Sequence, residues 1–275
     1  MENVNIAVVT GGAHGIGKAL CRRLSRDGAA VVVVDIDKDA AEDLAAEING
    51  HAEVADVGVE ADIESLIQRV EENVGHIDMF VSNAGVVFGD GEAGAASREG
   101  RFGNVDDRWD VCWRVNVMAH VWAARYLVPL MSNRGGGYLV NTASAAGLLA
   151  QIGDAAYTTT KHAAVGFADS LAITHADDGI KVAVVCPQAV ATRLLGVDPD
   201  ELDADRGAFV GAAVDGILSA EAVADAIVDG VASGKYLITP HESVHTYTAR
   251  RAEDHDRWVD GMRRFRQKLL GSAGK

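Results

Sequence analysis

Ile6-Ala7-Val8-Val9-Thr10-Gly11-Gly12-Ala13-His14-Gly15-Ile16-Gly17 reads as a strand, a glycine-rich turn and the first turn of a helix. Glycines permit a tight turn and let the N–H groups of a helix N-terminus approach a pyrophosphate, which makes Gly11, His14, Gly15, Ile16 and Gly17 candidate cofactor contacts. The spacing is GxxxGxG rather than GxGxxG, so the turn alone is weak evidence. A second strand, Val31-Val32-Val33-Val34, strengthens it by ending at Asp35, 18 residues past Gly17. A carboxylate there can accept hydrogen bonds from both hydroxyls of an adenosine ribose and repels a 2′-phosphate. The pairing predicts NAD rather than NADP, with His14 the one mildly basic neighbour. The bland alternative is that Asp35 only caps the next helix.

Outward from this turn, short Val/Ile-rich runs alternate with segments of helical period, the pattern of βαβ units and a mainly parallel sheet. Strands are expected near 4–10, 30–36, 51–56, 77–82, 136–142, 180–186 and 235–239. Helices are expected near 15–27, 38–48, 60–73, 106–131, 155–177, 221–233 and 243–270. No linker divides the 275 residues, so the expectation is one α/β domain, a doubly wound Rossmann-type sheet flanked by helices. The net charge of −15 argues against a nucleic-acid partner, whose phosphates need a basic surface. No apolar run reaches the roughly 18 residues of a membrane span. Cys21, Cys112 and Cys186 are odd in number and widely spaced, and Met1-Glu2-Asn3-Val4-Asn5 lacks signal-peptide character. Together these predict a cytoplasmic protein with reduced thiols.

Chemistry enters at Val140-Asn141-Thr142-Ala143-Ser144 and Tyr157-Thr158-Thr159-Thr160-Lys161. A strand ends at the serine, and a helix with Asp154 at its N-cap then carries Tyr157 and Lys161. Residues four apart share a helix face, so phenol and ammonium can share one site. A tyrosine's ordinary pKa is about 10, and a neighbouring cation that lowered it by about three units would make Tyr157 an acid–base group near neutrality.

Thr10–Gly17, Asn83-Ala84-Gly85, Asn116, Ser144, Tyr157 and Lys161, in that order over about residues 4–240, resemble the short-chain dehydrogenase/reductase family. The resemblance implies reversible NAD-linked oxidation of a secondary alcohol to a ketone. It implies that Tyr157 exchanges the proton, Ser144 orients the substrate oxygen, Lys161 lowers the tyrosine pKa and holds the nicotinamide ribose, and Asn116 holds a water that leads to solvent. Asp56 and Val57 are implied to flank the adenine, although a polar strand end is nearly as good a reading of Asp56. Asn83, Ala84 and Gly85 are implied to line the ribose, with Asn83 also steadying the central sheet. Ser82 stands where the family usually has a second asparagine. Pro187, Val190 and Thr192 are implied near the nicotinamide, and Gln188 replaces the family's usual glycine. The same resemblance implies a homotetramer built on the 106–131 and 155–177 helices.

Substrate choice is harder to read. Leu148, Leu149, Ile152, Leu194 and Leu195 favour an apolar alcohol or ketone, and residues 193–218 suit a lid. The Gly-rich stretch 86–104 suits the rim of a pocket or a surface loop equally. His241-Glu242-Ser243-Val244-His245 satisfies the HExxH pattern of a zinc hydrolase, but no third ligand is indicated and no metal site is expected. The basic, amphipathic 243–270 segment is read as packing on the acidic body or on a neighbouring subunit rather than on a membrane. A non-catalytic nucleotide-binding regulator of the same fold is the remaining rival. It has no need of the complete Ser-Tyr-Lys set.

Overall fold

The computed structural model describes residues 4–89, 99–100, 103–192 and 215–272. Seven parallel strands form one sheet in the order β3-β2-β1-β4-β7-β8-β9. They are β1 (Ile6–Thr10), β2 (Ala30–Asp35), β3 (His51–Val54), β4 (Met79–Ser82), β7 (Gly137–Thr142), β8 (Ile180–Val185) and β9 (Leu237–Ile238). A two-stranded hairpin, β5 (Glu99–Gly100) with β6 (Gly103–Asn104), stands apart inside the stretch expected as loop. The helices are α1 (Gly15–Arg26), α2 (Lys38–Ile48), α3 (Glu60–Asn73), α4 (Val105–Trp113), α5 (Ala119–Ser132), α6 (Ala155–His175), α7 (Ala220–Ala232), α8 (Glu242–Glu253) and α9 (His255–Ser272).

Alternation along the strands builds two cores. Ala7, Val9, Val31, Val33, Met79, Val81 and Val185 point to one side and pack with Leu20 and Leu24 of α1, Leu44 of α2, and Val223 and Ile227 of α7. Val8, Val32, Val34, Phe80 and Leu139 point to the other side and meet Leu66 and Val70 of α3, Trp122 and Leu127 of α5, and Leu171 of α6. Because side chains alternate faces, strands buried on both sides need an uninterrupted apolar run, which is what Val31–Val34 supplies. Cys21, Cys112 and Cys186 are buried and form no disulfide among the described residues. Among the described residues no helix is long and apolar enough to cross a membrane.

Two expected helices differ from the structure. The 106–131 helix is interrupted by a π-helical turn, Arg114–Met118, that separates α4 from α5. The 243–270 helix is two helices, because Asp254 leaves the helical region at φ −151° and ψ 95° and caps α9 by accepting the Arg257 N–H. Trp258, Met262, Phe265 and Leu269 are half-buried on α9. The expected lid at 193–218 lies largely outside the described residues, as do Leu194 and Leu195.

Within the α5 layer His120 is buried beside β7, its Nδ1 2.8 Å from Asn141 Oδ1. Burial first, and then the charge of Lys161, pushes its pKa down from 6.5 to about 4, opposed by the Asn141 hydrogen bond. Between those values the folded chain binds fewer protons than the unfolded one. The stabilisation from a neutral His120 is therefore complete above about pH 6.5 and lost as pH falls toward 4. From pH 7 to pH 5 this single group should remove about 2 kcal/mol of stability. Unfolding free energies from urea titrations at the two pH values should fall less in His120→Gln than in the natural protein, by that amount. Equal falls would show that the imidazole is not titrating against burial.

Candidate active site

The carboxyl ends of β1, β2, β4, β7 and β8 converge on one edge of the sheet, and the strand order reverses between β1 and β4. In such sheets the crevice at the reversal is where ligands bind. The junction is tightly tied. Thr10 Oγ1 donates to the Val81 carbonyl at 3.2 Å and accepts the N–H groups of Asn83 and Ala84 at 2.9 and 3.2 Å. Asn83 Nδ2 donates to the carbonyls of Thr10 and Gly11 at 3.0 and 3.3 Å, so this side chain braces the glycine turn from behind. A Cβ on Gly17 would lie 2.0 Å from the Gly11 carbonyl oxygen, which leaves room for no other residue. Gly15, at φ +49°, packs against Thr192, joining the turn to the far wall of the crevice.

Asp35 is buried at the end of β2 and accepts two backbone N–H groups, Ala13 at 3.1 Å and Asp37 at 3.1 Å. The cap of α2 is Asp37 rather than Asp35, since the Asp37 side chain accepts the Ala40 N–H. His14 stands at the N-cap of α1, with Nε2 2.9 Å from Asp37 Oδ2. Asp56 is exposed and closes a turn onto Gly58 N–H, while Val57 beside it is buried. Val190 directs its side chain into the core under α7.

Four side chains gather beside this crevice. Asn116 lies in the π-helical turn, an arrangement that recurs at functional sites. It is fully buried, exchanges two hydrogen bonds with the Val86 backbone and donates to Thr160 Oγ1 at 3.2 Å. Ser144 caps a 3-10 turn by accepting the Ala146 N–H and donates to the Pro187 carbonyl at 3.4 Å. Tyr157 and Lys161 lie one turn apart on α6, with Lys161 Nζ 5.6 Å from the centre of the Tyr157 ring. The ammonium donates to the Thr142 carbonyl at 3.0 Å. Gly85 lies against both Asn116 and Lys161: a Cβ there would be 3.3 Å from Asn116 Oδ1 and 3.4 Å from Lys161 Nζ.

Electrostatics corrects one expectation. Burial pushes the Tyr157 phenol up to about 12, with a hydrogen bond from Ser144 pulling down and the Asp154 carboxylate pushing up. Burial likewise brings Lys161 down to about 8. The nearby ammonium therefore does not bring the phenol toward neutrality by itself. Its head group is drawn to the Thr142 carbonyl, and excluding water from both groups costs the phenolate more than the charge returns.

Sequence reasoning found Asp154 as a helix cap and missed the rest of its work. One oxygen accepts the Tyr157 N–H at 2.8 Å, and the other accepts Phe88 and Gly89 N–H at 3.1 and 2.8 Å. This buried carboxylate thus ties the chain leaving β4 to the first turn of the Tyr157 helix. Arg251 of α8 was also missed; it reaches the Leu148 carbonyl and sits 3.2 Å from His162 Nε2, bridging the segment after Ser144 to α6. Leu148 packs on the core beneath α6, while Leu149 and Ile152 are half-buried nearby. The two histidines of the HExxH stretch are set apart. His241 is buried before α8 begins and His245 is exposed, and among the described residues no group of three or more His, Cys, Asp or Glu could hold a metal ion.

The chain is similar to proteins already known. The family model described as short chain dehydrogenase matches residues 5–202. A 1-deoxy-11-beta-hydroxypentalenate dehydrogenase from Streptomyces exfoliatus is 35% identical over 238 residues, covering 84% of this chain and 81% of its own length. A 3beta-hydroxysteroid dehydrogenase 2 from Eggerthella lenta is 33% identical over 194 residues, covering 68% and 72%. Among solved structures, a short chain dehydrogenase/reductase from Burkholderia phymatum in complex with NAD shares the fold with a TM-score of 0.79 at 24% identity, over 93% of this chain and 96% of that one. A family match across most of the sheet, joined to relatives above 30% identity over two thirds of the chain, makes this protein an oxidoreductase of the short-chain dehydrogenase family.

Proposed function

We propose that the chain is an NAD-dependent oxidoreductase that interconverts a secondary alcohol and its ketone, with Ser144, Tyr157, Lys161 and Asn116 as the reacting set. The observation that carries this reading is the burial of Ser144 and Tyr157 beside Lys161 at the carboxyl edge of the sheet. The glycine turn fits a dinucleotide, since Gly17 leaves no space for a side chain and the α1 N–H groups face the crevice end of β1. Gly11, Gly15, Gly17, Asp35, Ala84, Gly85 and Thr192 would hold it. When bound, the nicotinamide supplies the hydride acceptor or donor.

The roles follow from the groups' own properties. In ketone reduction the neutral Tyr157 hydroxyl donates its proton to the substrate oxygen. Ser144 turns its hydroxyl from the Pro187 carbonyl onto the same oxygen, where negative charge develops. Lys161, protonated at neutral pH, stabilises the phenolate left behind, and Asn116 beside it would hold a water that returns a proton. Asp35 favours NAD, because a 2′-phosphate would have to lie against a carboxylate. Leu149 and Ile152 favour an apolar substrate, in keeping with relatives named for a hydroxysteroid and a hydroxypentalenate. A tetramer is supported by apolar residues left exposed on the two helices expected to form its interface, Trp113 and Leu130 on one and Ile173 on the other.

Tyr157→Phe should abolish turnover of aryl and steroid ketones with NADH while NADH still binds, read by absorbance at the NADH band and by fluorescence titration. A variant keeping most of its rate would remove the phenol from the chemistry. The raised phenol pKa gives the pH dependence its sign: reduction needs the proton and oxidation needs it gone. Alcohol oxidation should therefore speed up from pH 7 to pH 9, and ketone reduction should not; profiles with the reverse slopes would reject the assignment. Asp35→Asn keeps an acceptor for a backbone N–H and removes the charge, so the ratio of kcat/KM for NADP over NAD should rise by about tenfold or more. An unchanged ratio would mean that cofactor choice lies elsewhere.

A further inference from the structure

We propose that His241 is a positioning residue for Ser144, acting through the single peptide unit that joins Pro187 to Gln188; the proposal deepens the alcohol–ketone reading above and rests on it. The N–H of that unit, from Gln188, donates to His241 Nδ1 at 3.2 Å. Its carbonyl, from Pro187, accepts the Ala145 N–H at 2.8 Å and the Ser144 hydroxyl at 3.4 Å. A peptide unit is planar, so its N–H and C=O turn together, and holding one end sets the aim of the other. His241 and Ser144 thus grip opposite ends of one rigid plate.

The grip is built into the fold. β8 and β9 run side by side, and Cys186 N–H donates to the Ile238 carbonyl at 2.8 Å, which brings the chain after β9 against the chain after β8. His241 follows at the N-cap of α8 with only 6% of its surface exposed. A backbone N–H can only donate, so Nδ1 must be the bare nitrogen and the imidazole must be neutral. Burial holds the ring in that form by pushing its pKa down. The Gln188 side chain is tethered as well, its Oε1 accepting from Ser243 Oγ at 3.4 Å. Two residues of the α8 N-terminus therefore fix both the backbone and the side chain of Gln188.

Ser144 has little freedom to spare. Its oxygen accepts the Ala146 N–H, its single proton rests on the Pro187 carbonyl and must swing to the substrate oxygen in the reaction, and the Ala145 N–H on that same carbonyl fixes the backbone from which it swings. Without an acceptor at Nδ1 the half-buried Gln188 N–H is unpaired, and the peptide gains by turning toward another partner. That turn draws the Pro187 carbonyl away from the Ala145 N–H, and with it the Ser144–Ala145 backbone that aims the hydroxyl. The loss should fall on the chemical step rather than on cofactor binding, because Ser144 works at the substrate oxygen.

The test compares His241→Leu, His241→Phe, His241→Asn and Tyr157→Phe with the natural protein, using NADH and a panel of aryl and steroid ketones. His241→Leu and His241→Phe remove the acceptor and should lower kcat about tenfold, with KM and NADH affinity changed less than about twofold. His241→Asn puts an amide oxygen where Nδ1 was and should bring kcat back to within about threefold. Rates for the Leu and Phe variants within about twofold of natural, or an Asn variant as slow as they are, would overturn the proposal. So would failure of both Leu and Phe variants to fold, which would make His241 a structural residue only. Tyr157→Phe reports separately on the parent reading: full turnover there, or no ketone turned over by the natural protein, brings down both, whereas loss there beside a normal His241→Leu brings down this proposal alone.

Discussion

Everything at the carboxyl edge depends on how β1 and β4 end beside each other. Where the strand order reverses, the helices that follow the two strands leave on opposite faces, and their departure opens the crevice. Backbone groups there leave the ladder and need new partners, and a buried N–H without one is costly. Thr10 and Asn83 supply them. One threonine hydroxyl receives two N–H groups from the chain after β4, and one asparagine amide donates to two carbonyls of the turn after β1. The glycine turn is thus braced by protein on the side away from the crevice, which is why Gly17 cannot carry a side chain.

The same exclusion of water that gives the site its precision sets its proton balance. Tyr157 and Lys161 are both buried, and burial favours the neutral form of each. The result is a phenol that keeps its proton and an ammonium near the edge of losing one. Such a pair is prepared as an acid. In the proposed reaction it becomes a base only when charge arriving in the crevice or a rise in pH shifts the balance, so the direction of proton flow would belong to the occupied site rather than to the lysine alone.

Much of the fold was legible because it rests on local, repetitive signals. Val31–Val34 could only be a strand buried on both faces, and its register against Ala7–Thr10 follows from where Asp35 must end. The glycine turn and the Ser144, Tyr157 and Lys161 spacing were legible because short-range geometry constrains them. What escaped depends on contacts across the sequence. Nothing near Asp154 announces that Phe88 and Gly89, 66 and 65 residues away, need its second oxygen. Hydrophobic periodicity passes smoothly through Arg114–Met118, so the π-helical turn around Asn116 leaves no trace in the pattern. Asp254 ends α8 with no glycine or proline to mark the break. The sign of the Tyr157 shift was misread for a related reason: a spacing of four shows that two groups are neighbours but not how much water either keeps.

Two oddities of the sequence turn out to be one feature. Gln188 stands where a glycine is usual in proteins of this type, and His241 opens a pattern that elsewhere marks zinc. Taken separately, each invites its own explanation, a polar side chain over the substrate for one and a metal for the other. In the structure they touch: Nδ1, one of the two nitrogens through which a histidine could bind zinc, is taken by the Gln188 N–H, and Ser243 of the same motif meets the Gln188 amide. A glycine at 188 would keep the N–H but offer no side chain for Ser243. A non-acceptor at 241 would leave the half-buried N–H unpaired. The two positions are therefore coupled through a single peptide, and its carbonyl is the one that Ser144 meets.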